Sequence, residues 1–270
     1  MDTPMGTAPA RPLAVVTGAS SGIGYELAGE FARNGFDLVV AAEDEEIVPA
    51  ARALRRSGAR VEEVRVDLAG YDGVERLYAA ATAGGRPVEA IAINAGVGVG
   101  GDFARETDLR AELRLIDLNV TSAVHLAKRA LRDMAGRGRG RILFTSSIAA
   151  TMPGPFQAVY SASKAFLLSF AEAVREELKG TGVTVTALMP GPTETEFFER
   201  AGMQDTRIGA GPKDDPAEVA RAGFEALMAG KDHVVAGSVK NKLMAGAAKV
   251  APEAAKAAAH RRISEPGSGT

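Results

Sequence analysis

Residues 17–24 (TGASSGIG) lie between an apolar run, residues 13–16 (LAVV), and a stretch in which Ile23, Leu27 and Phe31 recur every four positions. The run predicts a strand that is covered on both faces, and the spacing predicts one apolar face of a helix. A strand, a glycine-rich turn and a helix in this order form the first half of a βαβ unit. The stretch therefore predicts an α/β fold with a parallel sheet.

The rest of the chain repeats this alternation of strands and helices. Four further runs are largely apolar: residues 38–42 (LVVAA), 90–93 (AIAI), 141–144 (RILF) and 183–188 (VTVTAL). Phe166, Phe170, Val174 and Leu178 again recur every four positions, as on a helix face. No linker rich in Pro, Gly or Ser divides the chain, so we predict one doubly wound, Rossmann-type α/β domain with helices on both faces of the sheet.

The two ends differ from this central domain, which we expect to span residues 12–238. Residues 1–11 lack the pattern of a signal peptide and predict a flexible N-terminal arm. Residues 239–263, rich in Ala and Lys, predict a C-terminal helical extension, and residues 264–270 predict a flexible tail. The basic extension leaves open whether it docks on the protein or a neighbouring subunit, or lies on a membrane surface.

Composition excludes several classes of protein and site. The 270 residues are 46% hydrophobic and 24% charged, which is typical of a globular protein, and the net charge of −2 gives no overall attraction for nucleic acid. The absence of cysteine excludes disulfides, thiolate metal sites and a cysteine nucleophile, and His125, His233 and His260 lack metal-ligand spacing. From the cysteine and histidine observations we expect no bound metal. The chain also lacks a run of about 18 consecutive apolar residues that could span a bilayer, so we expect a cytoplasmic protein.

The glycines of residues 17–24 also suit a particular ligand. A glycine turn that opens a helix lets the backbone approach a pyrophosphate, whose charge is stabilised by the free N–H groups and dipole of the helix. The alternative is a plain tight turn. The position between strand and helix favours dinucleotide binding. The contacts expected from this segment are Gly18, Ser20, Ser21, Gly22, Ile23 and Gly24.

The spacing Gly-x-x-x-Gly-x-Gly resembles that of the short-chain dehydrogenase/reductase family. Residues 93–96 (INAG) stand where the family has Asn-Asn-Ala-Gly, with the first Asn replaced, and residues 66–68 (VDL) stand where an Asp-Leu pair contacts adenine. An alternative for Asp67, read from the residues alone, is an N-cap of the next helix. The cofactor contacts that the resemblance implies here are Asp67, Leu68, Asn94, Ala95 and Gly96.

A tyrosine and a lysine four residues apart, Tyr160 and Lys164, share one face of a predicted helix. A tyrosine whose pKa is about 10 is a poor acid/base near neutral pH, but an adjacent ammonium and an oxidised nicotinamide stabilise the phenolate. We therefore expect Lys164 to lower the pKa of Tyr160. Ser147, thirteen positions before the tyrosine, follows a predicted strand, where ligands bind in open α/β sheets.

Asn119, Ser147, Tyr160 and Lys164 match the catalytic tetrad of the family residue by residue. The resemblance implies that Ser147 holds the substrate oxygen beside Tyr160, with Ser146 as the alternative, and that Asn119 retains a water linking Lys164 to solvent. Residues 190–195 (PGPTET) match the turn that holds the nicotinamide. The contacts implied there are Pro190, Gly191, Thr193 and Thr195, and Tyr160 and Lys164 also contact the cofactor.

The resemblance covers residues 13–229 and is strongest to a bacterial group of oxidoreductases with poorly defined substrates. It implies an oxidoreductase that transfers a hydride between a nicotinamide cofactor and a carbonyl or secondary alcohol, with Tyr160 as acid/base. It also implies a homodimer or homotetramer, packed through the helices that hold Asn119 and Tyr160. Two other functions stay open: a nicotinamide-binding regulator without catalysis, and a membrane-associated lipid carbonyl reductase.

Selectivity for the cofactor depends on residues 43–46 (EDEE), which follow the second predicted strand. In the family, an Asp at the position of Ala42 is common in enzymes that select NAD, and an Arg at the position of Glu43 in those that select NADP; neither is present. Four carboxylates without a nearby arginine repel a ribose 2′-phosphate, so we favour NAD over NADP, with Glu43 as the contact. Alternatively, the acids only favour the first turn of the next helix.

Six apolar residues near the predicted site suggest a hydrophobic substrate, unless they belong to the core. They are Met152, Pro153, Phe156, Phe197, Phe198 and Met203.

Overall fold

The computed structural model describes residues 11–248 and 251–269, so residues 1–10 of the expected N-terminal arm lie outside the described residues. The strands of the described chain are β1 (Leu13–Thr17), β2 (Asp37–Ala42), β3 (Val61–Arg65), β4 (Val88–Ile93), β5 (Gly140–Thr145), β6 (Val183–Pro190) and β7 (His233–Ala236). The helices are α1 (Gly22–Arg33), α2 (Ile47–Leu54), α3 (Tyr71–Thr82), α4 (Leu109–Ile116), α5 (Ser122–Gly136), α6 (Ala158–Glu177), α7 (Phe197–Arg200), α8 (Arg207–Ala210), α9 (Pro216–Met228), α10 (Val239–Ala248) and α11 (Glu253–Ser264).

These strands form one parallel sheet in the order β3-β2-β1-β4-β5-β6-β7. The order reverses between β1 and β4, which are paired through contacts such as Val15 with Ile91. In open α/β sheets the crevice outside the carboxyl ends of strands at such a reversal is where ligands bind. The prediction of a doubly wound domain is confirmed, and the sheet places β1, β4 and β5 side by side at its centre.

The sheet is buried on both faces, which is why its central strands are largely apolar at both odd and even positions. Val15 packs with one core cluster, together with Leu77 of α3 and Leu126 of α5. Its neighbours on β1 face the opposite cluster, which includes Leu27 and Phe31 of α1. Two layers of helices therefore hold the strand ends in fixed positions.

Two details of the secondary structure differ from the sequence prediction. β7 was not predicted, because it has only four residues and three of them are half-buried. On α6 the predicted apolar face is shifted, since Leu167 and Ala171 are buried against the sheet and Phe166 is 41% exposed. Phe166 instead stacks on Phe170, with ring centres 5.7 Å apart.

The long helical segment that carries Asn119 is interrupted. A π-helical turn, Asp117–Thr121, separates α4 from α5. Such turns often occur at functional sites, since they redirect side chains within a helix. Here the turn leaves Asn119 only 1% exposed.

The C-terminal extension folds into α10 and α11, and it docks on the protein itself. Lys256 Nζ lies 3.5 Å from the carbonyl oxygen of Thr151, and Asn241 Nδ2 donates to Asp214 Oδ2 at 2.6 Å. The described part of the expected flexible tail is also held, because Gly269 N donates to the carbonyl of Asp205 at 2.8 Å. None of the helices within residues 11–248 and 251–269 is long and apolar enough to cross a bilayer.

Candidate active site

The glycine turn after β1 has a backbone that only glycine accommodates well. Gly18 and Gly22 have φ values of 65° and 54°, in the left-handed region. A Cβ at Gly24 would lie 1.9 Å from the carbonyl oxygen of Gly18. At Gly22 it would lie 2.8 Å from Cγ2 of Thr195, in the loop after β6. The turn is therefore packed against the first turn of α1 and against the loop that follows β6.

A network of hydrogen bonds joins the carboxyl ends of β1, β4 and β5. Thr17 Oγ1 accepts from the backbone N–H groups of Asn94 and Ala95, both at 2.9 Å. Asn94 Nδ2 donates to the carbonyl of Thr17 at 3.1 Å, and Thr145 Oγ1 donates to Asn94 Oδ1 at 3.0 Å. The network fixes the loop after β4. The sequence interpretation did not assign a role to Thr17 or Thr145.

Ser147 lies two residues after the end of β5 and caps a short 3-10 helix, Ile148–Thr151. Its Oγ accepts from the backbone N–H of Ala149 at 3.1 Å and donates to the carbonyl of Pro190 at 3.4 Å. Ser146, the alternative candidate, instead donates its hydroxyl to the carbonyl of Lys164 at 2.7 Å. The geometry therefore favours Ser147, since its long bond to Pro190 is the easier of the two to exchange for a ligand.

Lys164 and Asn119 both approach Gly96 closely. Lys164 is 5% exposed; its Nζ donates to the carbonyl of Thr145 at 2.9 Å and lies 5.7 Å from the centre of the Tyr160 ring. Asn119 bonds Val97 in both directions, accepting from its N–H at 2.9 Å and donating to its carbonyl at 3.0 Å. A Cβ on Gly96 would lie 3.0 Å from Asn119 Oδ1 and 3.3 Å from Lys164 Nζ.

The electrostatics of the tyrosine differ from our expectation. Burial raises the pKa of Tyr160 to about 12, and a hydrogen bond with Ser147 opposes this rise. Burial also lowers the pKa of Lys164 to about 8. Without a bound cofactor, the predicted lowering of the Tyr160 pKa is therefore wrong. Burial penalises the phenolate more than the neighbouring protein groups stabilise it.

The predicted site residues converge on one cavity of about 910 Å³. Every predicted cofactor contact lines it, from the glycine turn to Thr195. Of the tetrad, Ser147, Tyr160 and Lys164 line the cavity, whereas Asn119 is not among the lining residues. Asn119 instead supports the loop after β4 through Val97.

At the end of the cavity near β2, arginines pair with two of the acids that the sequence analysis treated as having no nearby arginine. Glu43 is not free of arginine, since Arg114 of α4 contacts it at 2.6 Å and Asp67 at 3.0 Å. Arg65 contacts Glu45 at 2.8 Å. Asp44, which was not among the predicted cofactor contacts, lines the cavity and accepts a hydrogen bond from Ser20 Oγ at 3.0 Å. Its Oδ1 is buried without a hydrogen-bond partner.

One structural alternative for the acids, the N-cap role of Asp67, is decided. Asp67 is not an N-cap, because α3 begins at Tyr71 and its N-cap is Gly70. Burial opposes ionisation of Asp67, yet hydrogen bonds from Ala69 N and Arg114 lower its pKa overall. Glu46 precedes α2 without a side-chain capping bond.

At the opposite end, half of the predicted apolar wall is present. Met152, Phe197 and Phe198 line the cavity, whereas Pro153, Phe156 and Met203 are not among its lining residues. Met203 is 1% exposed in a small core cluster with Phe198, and Phe156 lies 5.2 Å from the guanidinium of Arg261. The C-terminal extension supplies much of the remaining wall, which the sequence did not indicate. Its lining residues are Met244, Ala247, Ala248, Ala251, Ala255, Lys256, Ala259, His260 and Ile263.

The histidines have packing and pairing roles. His125 contacts Glu75 at 2.6 Å and His233 contacts Asp232 at 3.2 Å. His260 is 3% exposed, and burial lowers its pKa. The described residues contain no group of three or more His, Cys, Asp or Glu that could hold a metal ion.

The chain is similar to known proteins over most of its length. The family model for short chain dehydrogenases matches residues 12–205. An uncharacterized oxidoreductase of Myxococcus xanthus is 40% identical over 190 residues, which is 68% of this chain and 73% of the relative. A short-chain dehydrogenase from Sphingobium yanoikuyae, solved in complex with NADPH, shares 30% identity at a TM-score of 0.77, over 83% of this chain and 87% of that one. A Burkholderia phymatum short chain dehydrogenase/reductase in complex with NAD shares 26% identity at a TM-score of 0.80, over 89% and 92%.

Proposed function

This chain belongs to the short-chain dehydrogenase family, and we propose that Tyr160 is the acid/base with which it acts on the oxygen of its substrate. As a member of the family it is an NAD(P)-dependent oxidoreductase of alcohols and ketones. The observation that carries the proposal is the convergence of Ser147, Tyr160 and Lys164 on the cavity that the glycine turn also lines. The two alternatives, a non-catalytic regulator and a membrane-associated lipid carbonyl reductase, have no specific observation in their favour.

The residues present fit a nicotinamide dinucleotide. The glycine turn leaves the backbone at the start of α1 free of side chains, as a pyrophosphate requires. Asp44 Oδ1 is an acceptor without a partner, as a ribose hydroxyl requires, and the loop of residues 190–195 lines the same cavity near Tyr160. When bound, the nicotinamide supplies or accepts the hydride.

Tyr160, Ser147 and Lys164 have separate roles in the transfer of the proton to the substrate. With a pKa of about 12, Tyr160 is protonated at neutral pH and in reduction donates its proton to the substrate oxygen. The Ser147 hydroxyl holds that oxygen, exchanging its long bond to Pro190 for the substrate. Lys164 stabilises the phenolate that forms, and Asn119 Oδ1 has a second lone pair for a water that connects Lys164 to solvent. Oxidation runs these steps in reverse.

The proposal is tested by measuring consumption of reduced cofactor with a broad panel of ketones and aldehydes, by the wild type and by Tyr160→Phe. Turnover that depends on the hydroxyl of Tyr160 supports the assignment. A wild type that binds the cofactor but turns over no member of the panel would support a regulator instead. The cavity wall of Met152, Phe197 and Phe198 suggests that substrates with an apolar body are the first to try.

We propose that NAD is preferred over NADP, now through Asp44 as well as Glu43. The buried, unpartnered Oδ1 of Asp44 suits a ribose hydroxyl and repels a 2′-phosphate, whereas Arg114 offsets the charge of Glu43. We expect NADH to bind about 10-fold more tightly than NADPH, a difference that corresponds to about 1.4 kcal/mol. Asp44→Ser should remove most of this difference. Equilibrium binding by cofactor fluorescence checks both values, and Glu45→Ser, on an exposed neighbour, is the control.

Tighter binding of NADPH by the wild type would contradict this assignment. It would point to Arg114 as the group that holds the phosphate, since this residue lies between Glu43 and Asp67 at the same end of the cavity.

We also propose that the protein is a homodimer or homotetramer packed through α4 and neighbouring helices. Leu109, Leu113 and Ile116 form an apolar stripe on α4 that is 66%, 50% and 38% exposed, and Phe166 of α6 is exposed as well. Exposed apolar stripes of this kind mark protein interfaces. Leu113→Glu should therefore convert the oligomer to a monomer without unfolding it. Light scattering after gel filtration checks the mass, and Leu243→Glu on α10 is the matched control. A wild type that is monomeric at micromolar concentration would contradict the proposal.

A further inference from the structure

The C-terminal extension forms part of the wall of the cavity that the catalytic residues also line. Ala255, Lys256, Ala259, His260 and Ile263 all line the cavity and recur at the spacing of one face of α11. Three of these five side chains are alanine or isoleucine, so the wall is mainly apolar. A charged side chain on such a wall requires an explanation, because a charge removed from water is costly unless it is paired.

Lys256 is that charge, and its two contacts within the chain leave part of its donor capacity unused. Its side chain is 12% exposed, and its Nζ contacts Glu253 at 2.5 Å, but the Glu253 side chain is 73% exposed to water. Because the Glu253 carboxylate is largely solvated, it offsets the charge of Lys256 only in part. The second contact, to the carbonyl of Thr151, is 3.5 Å long. An ammonium has three N–H donors, and these two contacts leave capacity for an acceptor in the cavity.

The position of Lys256 relative to Ser147 sets the size of the ligand. Thr151, which Lys256 contacts, is the last residue of the 3-10 helix that begins directly after Ser147. At about 2.0 Å of rise per residue, four residues of 3-10 helix span roughly 8 Å. An acceptor bound to Lys256 would therefore lie several carbon–carbon bonds from a carbonyl group held by Ser147.

Other cations of the cavity are less suited to this role. Arg200 is 55% exposed and pairs with Glu196 at 2.5 Å. Lys213 Nζ lies 5.6 Å from the centre of the Phe198 ring and 3.8 Å from Glu194, beside the loop that we assign to the nicotinamide. Arg207 donates from Nε to the carbonyl of Ser268 at 3.0 Å. Lys164 is bonded to Thr145 beneath Tyr160.

We propose that Lys256 binds the carboxylate of an acidic substrate whose reacting carbon lies beside Ser147 and Tyr160. The apolar part of the substrate lies between, along Ala255, Ala259 and Ile263. This inference rests on the proposed function and narrows its substrate class to keto acids and hydroxy acids with an apolar body. It adds a carboxylate to the hydrophobic substrate that the sequence suggested, because the side chains of α11 could not be placed from the sequence.

The test measures ligand binding, so it does not require turnover. Isothermal titration of the protein saturated with oxidised cofactor uses 4-oxopentanoate, 6-oxoheptanoate and 8-oxononanoate, each beside its methyl ester. We expect at least one acid to bind about 10- to 100-fold more tightly than its ester, as a charge-assisted hydrogen bond predicts. Lys256→Met should remove that difference without changing the affinity for the ester, and Lys256→Arg should restore most of it.

Lys242→Met, at an exposed position of α10, is the matched control and should leave both affinities unchanged. The same variants give a second measurement, in which Lys256→Met raises KM for the acid and leaves kcat near the wild-type value. Equal affinity for acid and ester in the wild type would overturn the inference, as would the absence of acid binding. Tighter binding of the acid than of its ester by Lys256→Met would also overturn the inference. If Lys213→Met then abolished that difference, the carboxylate would be bound beside Phe198 instead. Binding of the acid through Lys256 without turnover of any ketone would defeat the proposed function, while the carboxylate site at Lys256 would stand.

Discussion

Tyr160→Phe is expected to lower kcat by about 10³-fold, within the range for loss of a general acid/base. The substitution removes one oxygen and keeps the aromatic ring, whose centre lies 5.0 Å from that of Phe197. Packing and cofactor affinity should therefore stay close to the wild type. Lys164 would remain bonded to Thr145 and Ser147 to Pro190, so only the proton donor is lost.

Steady-state kinetics on a ketone accepted by the wild type measure this effect, with cofactor binding and thermal unfolding measured on the same samples. The matched control is Tyr71→Phe, because Tyr71 is 66% exposed, stacks on His125 and is not among the residues lining the cavity. It should keep wild-type turnover. If Tyr160→Phe retained more than a tenth of the wild-type kcat while binding the cofactor normally, another group would have to supply the proton.

Gly24→Ala is expected to remove cofactor binding. The new Cβ would lie 1.9 Å from the carbonyl oxygen of Gly18 and 2.6 Å from Asn94 Nδ2, so the turn and the loop after β4 would have to move apart. Overpacking of this kind costs about 1–3 kcal/mol of stability. The larger effect should fall on affinity, because the displaced backbone belongs to the segment expected to hold the pyrophosphate; a loss of at least about 100-fold corresponds to some 2.7 kcal/mol.

Thermal unfolding with and without each nicotinamide cofactor measures both effects, since a ligand bound only by the folded state raises its stability. Gly84→Ala is the control, because a Cβ there meets nothing within 4 Å. It should retain both the melting temperature and the cofactor-induced shift. A Gly24→Ala protein that the cofactor stabilises as strongly as it does the wild type would show that the turn does not contact the dinucleotide.

The parts of the fold that the sequence predicted are those set by local patterns. Runs that are largely apolar, without strict alternation with polar residues, predicted the central strands because both faces of the sheet are covered. The glycine turn was predicted because its φ values and its close approach to neighbours demand glycine. β7 was missed because it is short and only partly buried, which leaves no such pattern.

The parts of the site that the sequence did not predict depend on contacts between distant residues. Arg114 and Glu43 are 71 positions apart, and Lys256 and Thr151 are 105 apart. No local periodicity specifies such pairs. From the sequence, the acids after β2 were therefore treated as having no nearby arginine, and the C-terminal extension was not assigned to the cavity. Phe156 and Met203 were assigned to the pocket by proximity in sequence alone, whereas packing directs one toward Arg261 and the other into a core cluster.

The central claim is that this cavity reduces a carbonyl group with a hydride from the cofactor and a proton from Tyr160. Reduced cofactor carrying deuterium at the transferring position of its nicotinamide, incubated with a ketone and the wild-type protein, tests it most directly by mass spectrometry and NMR of the product. We predict an alcohol with deuterium on the former carbonyl carbon, and almost none with Tyr160→Phe. Oxidation of the cofactor without deuterium in the alcohol, or no oxidation with any member of a broad carbonyl panel, would contradict the account.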